Sequence, residues 1–264
     1  MIRPAARDEL AVIRELVARA NDAPYDFAAV AEEKCFGDGI AGAPSTRVFE
    51  RDGRIAGVAV TCGKWLRVLA VDRDARRHGI GTALLADSDA SVIAAEPGNY
   101  FTPGVWMEDE GTCAFFRSRG LLEKSTTWNL LCLGRPGTSY DVVRRPTTQE
   151  SLRDFVQKEF GRAWAFEVAR ARGAFITEEN GNITGFAVYE ANNRGLGTFG
   201  PAGVVKSHRG RGLGCQLILA SLAALRDLGY TRVIIPWTEA LDFYRNCAGA
   251  TPAHRFVAFA RARP

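Results

Sequence analysis

Between Asp8 and Ala20, Leu10, Ile13, Leu16 and Val17 recur at helical spacing among charged residues, the pattern of an amphipathic helix with one buried stripe. Ahead of it, Met1–Arg3 reads as a strand ended by Pro4. From Asn21 to Thr46 the pattern blurs: Tyr25, Phe27, Val30 and Phe36 predict a helix, and Gly37, Gly39, Gly42 and Pro44 predict a loop after it. Arg47–Glu50 and Ile55–Gly63 read as a hairpin turning at Asp52-Gly53. Trp65–Val71 is a further strand, and Ile80 to about Ile93 a helix. Asn99–Val105 is a fifth strand, followed by a helix carrying Phe115 and Phe116 and a last strand near Thr126–Leu133.

After Gly134–Ser139, which has the glycine, proline and hydroxyl content of a linker, the same order returns. Tyr140–Arg145 is a strand and Gln149–Phe160 a helix. Ala174–Glu178 and Ile183–Glu190 are paired strands, and Gly197–Val205 is a fourth. Arg209–Leu228 holds a turn and a helix whose Leu217, Leu219, Ala220, Ala223 and Ala224 predict a packed face. Arg232–Trp237 is a strand, Leu241–Cys247 a helix and Arg255–Arg261 a strand.

The correspondence reaches individual residues. Asp52-Gly53-Arg54-Ile55-Ala56-Gly57 parallels Asn180-Gly181-Asn182-Ile183-Thr184-Gly185. Ile2-Arg3-Pro4 parallels Arg144-Arg145-Pro146, and Phe115-Phe116-Arg117 parallels Phe243-Tyr244-Arg245. Segments repeating in one order at half the chain length imply a duplicated domain. The expectation is an α+β fold of two tandem domains, residues 1–135 and 140–264, each a twisted mixed sheet flanked by helices.

The repeated segment with the clearest chemistry joins a strand to a helix through a turn dense in Gly and Arg. It reads Arg76-Arg77-His78-Gly79-Ile80-Gly81-Thr82 in the first copy and Arg209-Gly210-Arg211-Gly212-Leu213-Gly214-Cys215 in the second. A glycine-rich turn entering a helix presents unpaired N–H groups at the positive end of the helix dipole, a site suited to phosphate oxygens. A dinucleotide fingerprint requires Gly-x-Gly-x-x-Gly, but the third glycine would fall at Cys215 or Leu217. A P-loop would need Gly-Lys-Ser/Thr, which is absent. The spacing present is Arg-x-x-Gly-x-Gly, and it occurs in both copies.

That spacing resembles the pyrophosphate-binding signature of the GNAT superfamily of N-acyltransferases, in tandem form. The resemblance implies acetyl-CoA as cofactor and a sheet whose fourth and fifth strands splay to admit the pantetheine arm. It implies that Gly203, Val204 and Val205 pair with pantetheine and that the amides of Arg209, Gly210, Arg211, Gly212, Leu213, Gly214 and Cys215 hold the pyrophosphate. In the first copy the matching residues are Leu69, Ala70 and Val71, then Arg76, Arg77, Gly79, Ile80, Gly81 and Thr82.

In many family members a Tyr on the helix after the fifth strand protonates the departing CoA thiolate, and the match is Tyr244. The first copy has Phe116 there, which holds no proton to give, so the second copy is expected to be catalytic and the first degenerate. Both copies depart from the family in lacking the Asn that often opens this helix: Asp109 and Trp237 stand in its place. Glu190, Glu239, Asp242 and His254 are the available bases, and water relay from a partly neutral amine is the alternative. The expected reaction moves an acetyl group to the amine of a small or peptide acceptor. The alternatives are an acyl-CoA sensor or scaffold, and acyl transfer to a hydroxyl or thiol.

Composition narrows the setting. A net charge of +4 spread over 264 residues, without a basic stripe, argues against nucleic acid. No apolar run approaches a membrane span, and the expected partner is neither membrane nor nucleic acid. Cys35, Cys62, Cys113, Cys132, Cys215 and Cys247 form no Cys-x-x-Cys pair, which implies no metal site and reduced thiols in a cytoplasmic protein. The expected assembly is a monomer, as a pseudo-dimer of domains, or a homodimer.

Overall fold

The computed structural model describes residues 1–21, 24–133, 143–146 and 148–262. Their contacts divide into two compact units, Met1–Thr127 with His254–Pro264, and Trp128–Ala253. The expected linker from 134 to 139 lies outside the described residues.

In the first unit, strands β1 (Ile2–Pro4), β2 (Ser45–Arg51), β3 (Arg54–Cys62) and β4 (Trp65–Val71) pair antiparallel in that order. The positive φ of Asp52 and Gly53, 51° and 72°, gives the β2–β3 hairpin the left-handed turn that its Asp-Gly predicted. Helix α1 (Leu10–Ala20) buries Ile13, Leu16, Val17 and Ala20, the stripe read from the sequence. Helix α2 (Ala31–Phe36) is a short piece after the blurred stretch.

Helix α3 (Ile80–Asp87) is shorter than its apolar pattern suggests, because Val92–Ile93 form strand β5 instead. The expected strand at 99–105 is mostly irregular, with only Val105–Trp106 (β6) paired. Its apolar residues are nonetheless buried, Tyr100 and Phe101 among them. Burial, and not strand pairing, accounts for that apolar run. Helix α4 (Glu110–Arg117) is capped by the Asp109 carboxylate, which accepts from the Thr112 amide at 2.9 Å.

Strand β7 (Leu121–Leu133) passes from the first unit into the second, and strand β13 (Thr251–Arg261) returns to the first. There β13 pairs with β5 and β6, and Val257 and Phe259 are buried in one core with Ile80, Leu84 and Phe116. The repeat alone assigned 140–264 to one domain. The contacts place His254 onward with the first.

In the second unit, β8 (Val143–Arg144), β9 (Gly173–Glu179), β10 (Asn182–Tyr189) and β11 (Phe199–Val204) form an antiparallel sheet. The apolar faces of α5 (Gln149–Phe160) and α6 (Arg162–Arg170) cover it through Leu152, Val156, Ala165 and Val168. The sequence pattern had not separated α6 from its surroundings. Helix α7 (Leu213–Asp227) buries Leu217, Ile218, Leu222 and Leu225 against β7, β10, β11 and β12 (Arg232–Thr238). Leu219 and Ala224, expected on that face, are half-buried. Helix α8 (Leu241–Ala248) follows β12. These are the mixed sheets with flanking helices that the sequence predicted.

Candidate functional site

In both units two parallel strands meet and then part. Strand β4 pairs with β5 only at Trp65–Val92 and Leu66–Ile93, and beyond this Arg67–Val71 leave β5 behind. Strand β11 meets β12 through a single parallel bridge, Thr198–Ile234, where the Ile234 amide donates to the Gly197 carbonyl at 2.9 Å. Each fork leaves strand backbone without a partner on one side. An extended ligand carrying amides finds there the hydrogen bonds of an added strand.

At the far end of each forked strand stands the glycine turn, and the two turns are close copies. Each begins with a short 3₁₀ turn, Arg73–Ala75 or Lys206–His208. Gly79 then caps α3 at φ 78°, ψ −2°, and Gly212 caps α7 at φ 77°, ψ −2°. This left-handed backbone is the reason for glycine there. A Cβ at either position would meet nothing within 4 Å, so the turn opens onto free space at a helix N-terminus. No side chain caps either helix, and the first-turn amides of α3 and α7 remain available to an anion.

The arginines that open the motif brace the turn. Arg209 Nε donates to the Val204 carbonyl at 3.0 Å, and Arg76 Nε donates to Val71 at 3.4 Å, with Arg76 Nη2 on Ala20 at 2.6 Å. Arg211 Nη2 and His208 Nε2 both sit 2.8 Å from the Glu179 carboxylate. The Arg211 and then the His208 contact hold that carboxyl down from its ordinary 4.5 to about 2. A depressed carboxyl stabilises the fold above its ordinary value and loses that contribution as pH falls. The Glu179→Gln variant is therefore expected to melt below the native protein at pH 6, with the gap closing between about pH 4.5 and 2. A gap unchanged across that window would show that the brace is not ionic.

Gly203 has a packing reason as well, since its missing Cβ would lie 2.5 Å from the Phe160 ring. Beside the second glycine of each motif stands the first aromatic of the following helix. Phe115 lies 3.5 Å from the Cβ position of Gly81, and Phe243 lies 3.0 Å from that of Gly214.

The second aromatic differs between the copies. Phe116 is buried in the first core, its ring 5.7 Å from that of Phe259. Tyr244 is half-buried, edge-on to Phe199 at 6.2 Å, beside the residue where β11 leaves its bridge to β12. Apolar surroundings push its hydroxyl up to about 12, so it is protonated throughout the neutral range.

The first fork and turn border a cleft of about 800 Å³. Leu69, Ala70, Val71, Arg76, Arg77, Gly79, Ile80, Gly81 and Thr82 all line it. Phe27, Phe101 and Trp106, which the motif did not reveal, line it too. Near Trp106, with ring centroids 6.1 Å apart, is His254. Trp106 Nε1 and His254 Nδ1 are both buried without a hydrogen-bond partner among the described residues. Burial lowers the His254 pKa below 6.5 and so favours a neutral ring, an effect that Glu108 opposes.

The remaining bases are placed otherwise. Glu190 is buried and accepts from the amides of Gly195 (2.6 Å) and Thr198 (2.9 Å) and from the Tyr230 hydroxyl (3.0 Å). Asp242 pairs with Arg245, and Glu239 is exposed. No group of His, Cys, Asp and Glu among the described residues could hold a metal ion. No described helix is long and apolar enough to cross a membrane. Cys215 and Cys247, expected as reduced thiols, are joined as a disulfide, while Cys35, Cys62, Cys113 and Cys132 are buried and form no disulfide.

Residues 140–249 match the model of the acetyltransferase (GNAT) family, so that stretch is a GNAT acetyltransferase domain. Solved structures extend the likeness in fold to nearly the whole chain. A GCN5-related glucosamine N-acetyltransferase region of a fungal multi-domain β-N-acetylglucosaminidase superposes with TM-score 0.77 at 18% identity. That match covers 98% of this chain and 38% of the fungal protein, so the chain spans well under half of it. A tandem GNAT protein from the clavulanic acid biosynthesis pathway gives TM-score 0.73 at 20% identity, covering 100% and 99% of the two chains. A GCN5-related N-acetyltransferase from Sphaerobacter thermophilus gives 0.70 at 16% identity, covering 100% and 96%. No curated protein matches the chain in sequence.

Proposed function

We propose that the protein is an acetyl-CoA-dependent N-acetyltransferase whose second unit carries the turnover and whose first unit binds the same donor without its acid. The observation that carries this reading is the doubled fork and turn, in which unpaired strand backbone leads to a left-handed glycine at a helix N-terminus. These features suit a ligand with amides along its length and phosphates at its end.

Bound there, acetyl-CoA supplies the acetyl group as a thioester. The amides from Arg209 to Cys215 would hold its diphosphate, and the end of β11 at Gly203 and Val204, with Val205 after it, would lie along its arm. Tyr244 Oη holds a proton beside the fork for the departing sulfur, and its raised pKa keeps that proton in place until the C–S bond breaks. The amine proton passes to solvent. Glu190 is already occupied by three donors and takes no part. In the first unit, Leu69–Val71 and the Arg76–Thr82 turn line the open cleft, yet Phe116 offers no proton. That combination favours binding without turnover there. The acceptor is an amine on a small molecule or peptide.

Calorimetric titration of the thiol-reduced protein with acetyl-CoA tests the cradle directly. Gly79→Val and Gly212→Val are matched, since both glycines hold the same left-handed φ in open space. A β-branched residue resists that φ and puts its side chain over the turn amides. Each variant is expected to lose binding at its own unit and keep it at the other, with circular dichroism confirming the fold. Unchanged binding in Gly212→Val would show that the turn does not hold the donor.

A further inference from the structure

We propose that Cys215 and Cys247 are a thiol–disulfide modification site that governs donor entry at the second glycine turn; this rests on the reading of that turn as the acetyl-CoA cradle. Cys215 follows Gly214 in the first turn of α7, and Cys247 lies one helical turn beyond Tyr244 on α8. The disulfide joins the helix that begins at the cradle to the helix that carries the acid.

The first unit holds the same two positions together without sulfur. With Gly81 matched to Gly214 and Phe116 to Tyr244, Thr82 falls at Cys215 and Arg119 at Cys247. Arg119 donates to the Thr82 hydroxyl through Nε at 3.1 Å and Nη2 at 2.6 Å. The two clasps therefore fall at matching positions, although Arg119 lies just past the end of α4 and Cys247 in the last turn of α8. One is a hydrogen bond; the other is covalent.

The clasps differ in reach. Arginine has a longer side chain than cysteine, and Thr82 and Arg119 both line the open cleft of about 800 Å³. The cystine brings the Cα atoms of Cys215 and Cys247 to 5.2 Å. A ligand chain passing between two backbones needs a contact of about 4 Å on each side, or roughly 8 Å in all. With the bond formed, the passage from turn to Tyr244 is closed at that point. With the bond broken, no covalent link holds α7 and α8 at that separation. Cys215 and Cys247 are half-buried, whereas the other four cysteines are buried, so a small thiol reagent reaches this pair first.

The chemistry is exchange with a small-molecule disulfide such as glutathione disulfide. One cysteine thiolate attacks a sulfur of the reagent, forms a mixed disulfide and expels one thiol. The second cysteine attacks the protein-bound sulfur, closes the Cys215–Cys247 bond and expels the other. The protein loses two electrons and two protons, and the reagent gains both as two thiols. A reducing thiol runs the sequence backwards.

The test uses the full chain, equilibrated with glutathione disulfide or with a phosphine reductant. Alkylation and mass spectrometry confirm which cysteines are free, and acetyl-CoA is then titrated calorimetrically. Oxidised protein should bind at the first unit, and reduction should add the second site or tighten it by at least about tenfold. Cys247→Ser should bind at both units whatever the redox state, and Gly212→Val should remove only the site that reduction opens. Identical titrations of the two confirmed states overturn the proposal while leaving the cradle reading intact. Failure of glutathione disulfide to close the pair overturns it as well. Absence of binding in both states removes the acetyl-CoA reading and the proposal together.

Discussion

Tyr244→Phe is expected to keep acetyl-CoA affinity and to lose about 10²–10⁴ in turnover, the usual contribution of a positioned general acid. The exchange removes one hydroxyl and preserves the ring that packs on Phe199, so fold and donor binding have no reason to change. It also makes the second unit like the first, where Phe116 already occupies the equivalent place in the core. Single-turnover kinetics with reduced protein and an accepted amine separate the acid's role from donor entry. Because burial holds the phenol near 12, its ionisation shapes no part of a rate profile below about pH 10. A variant with native turnover would mean that the sulfur is protonated from solvent and that Tyr244 is a packing residue.

Glu96→Ala is expected to cost about 3–5 kcal/mol, the penalty for leaving one partner of a buried ion pair alone. Arg67 and Glu96 have fully buried side chains, joined by contacts of 2.6 and 2.9 Å. Arg67 Nη1 also donates to the carbonyls of Lys34 (3.0 Å) and Gly37 (2.8 Å), tying the end of α2 to β4. Lys34 Nζ continues the network to Asn99 Oδ1 at 2.8 Å. Since Arg67 lines the cleft, loosening it disturbs the first unit's binding site along with its stability. The expected loss in melting temperature is roughly 10 °C for a chain of this size. The double variant Arg67→Met/Glu96→Leu removes both charges and should recover much of it. If the double variant melts lower than Glu96→Ala, the pair is not the unit that holds this region.

Much of this protein is written in local patterns. The stripe of Ile13, Leu16 and Val17 specifies α1 because an amphipathic helix has one way to bury its apolar side. Asp52-Gly53 and Asn180-Gly181 specify hairpins through left-handed backbone that few other residues adopt cheaply. Arg-x-x-Gly-x-Gly specifies two turns so alike that their capping glycines differ by 1° in φ. Each of these signals is complete within about ten residues, so it survives without knowledge of the rest of the chain.

What the sequence left open depends on partners distant along the chain. The 99–105 stretch is apolar enough for a strand, but β13 takes most of the pairing, and burial alone uses the apolar residues. A strand pattern states which face is buried, not which neighbour buries it, and so the repeat could not show that Val257 and Phe259 join the first core. The same limit hid the Arg67–Glu96 pair, 29 residues apart, and the Cys215–Cys247 bond, 32 apart. The sequence by itself determined most of the elements, the duplication, the turns and the difference between Tyr244 and Phe116. Only the tertiary structure decided which core the last strand completes, where the forks open and which side chains clasp the helices, because those are contacts between segments whose order along the chain carries no record of their distance in space.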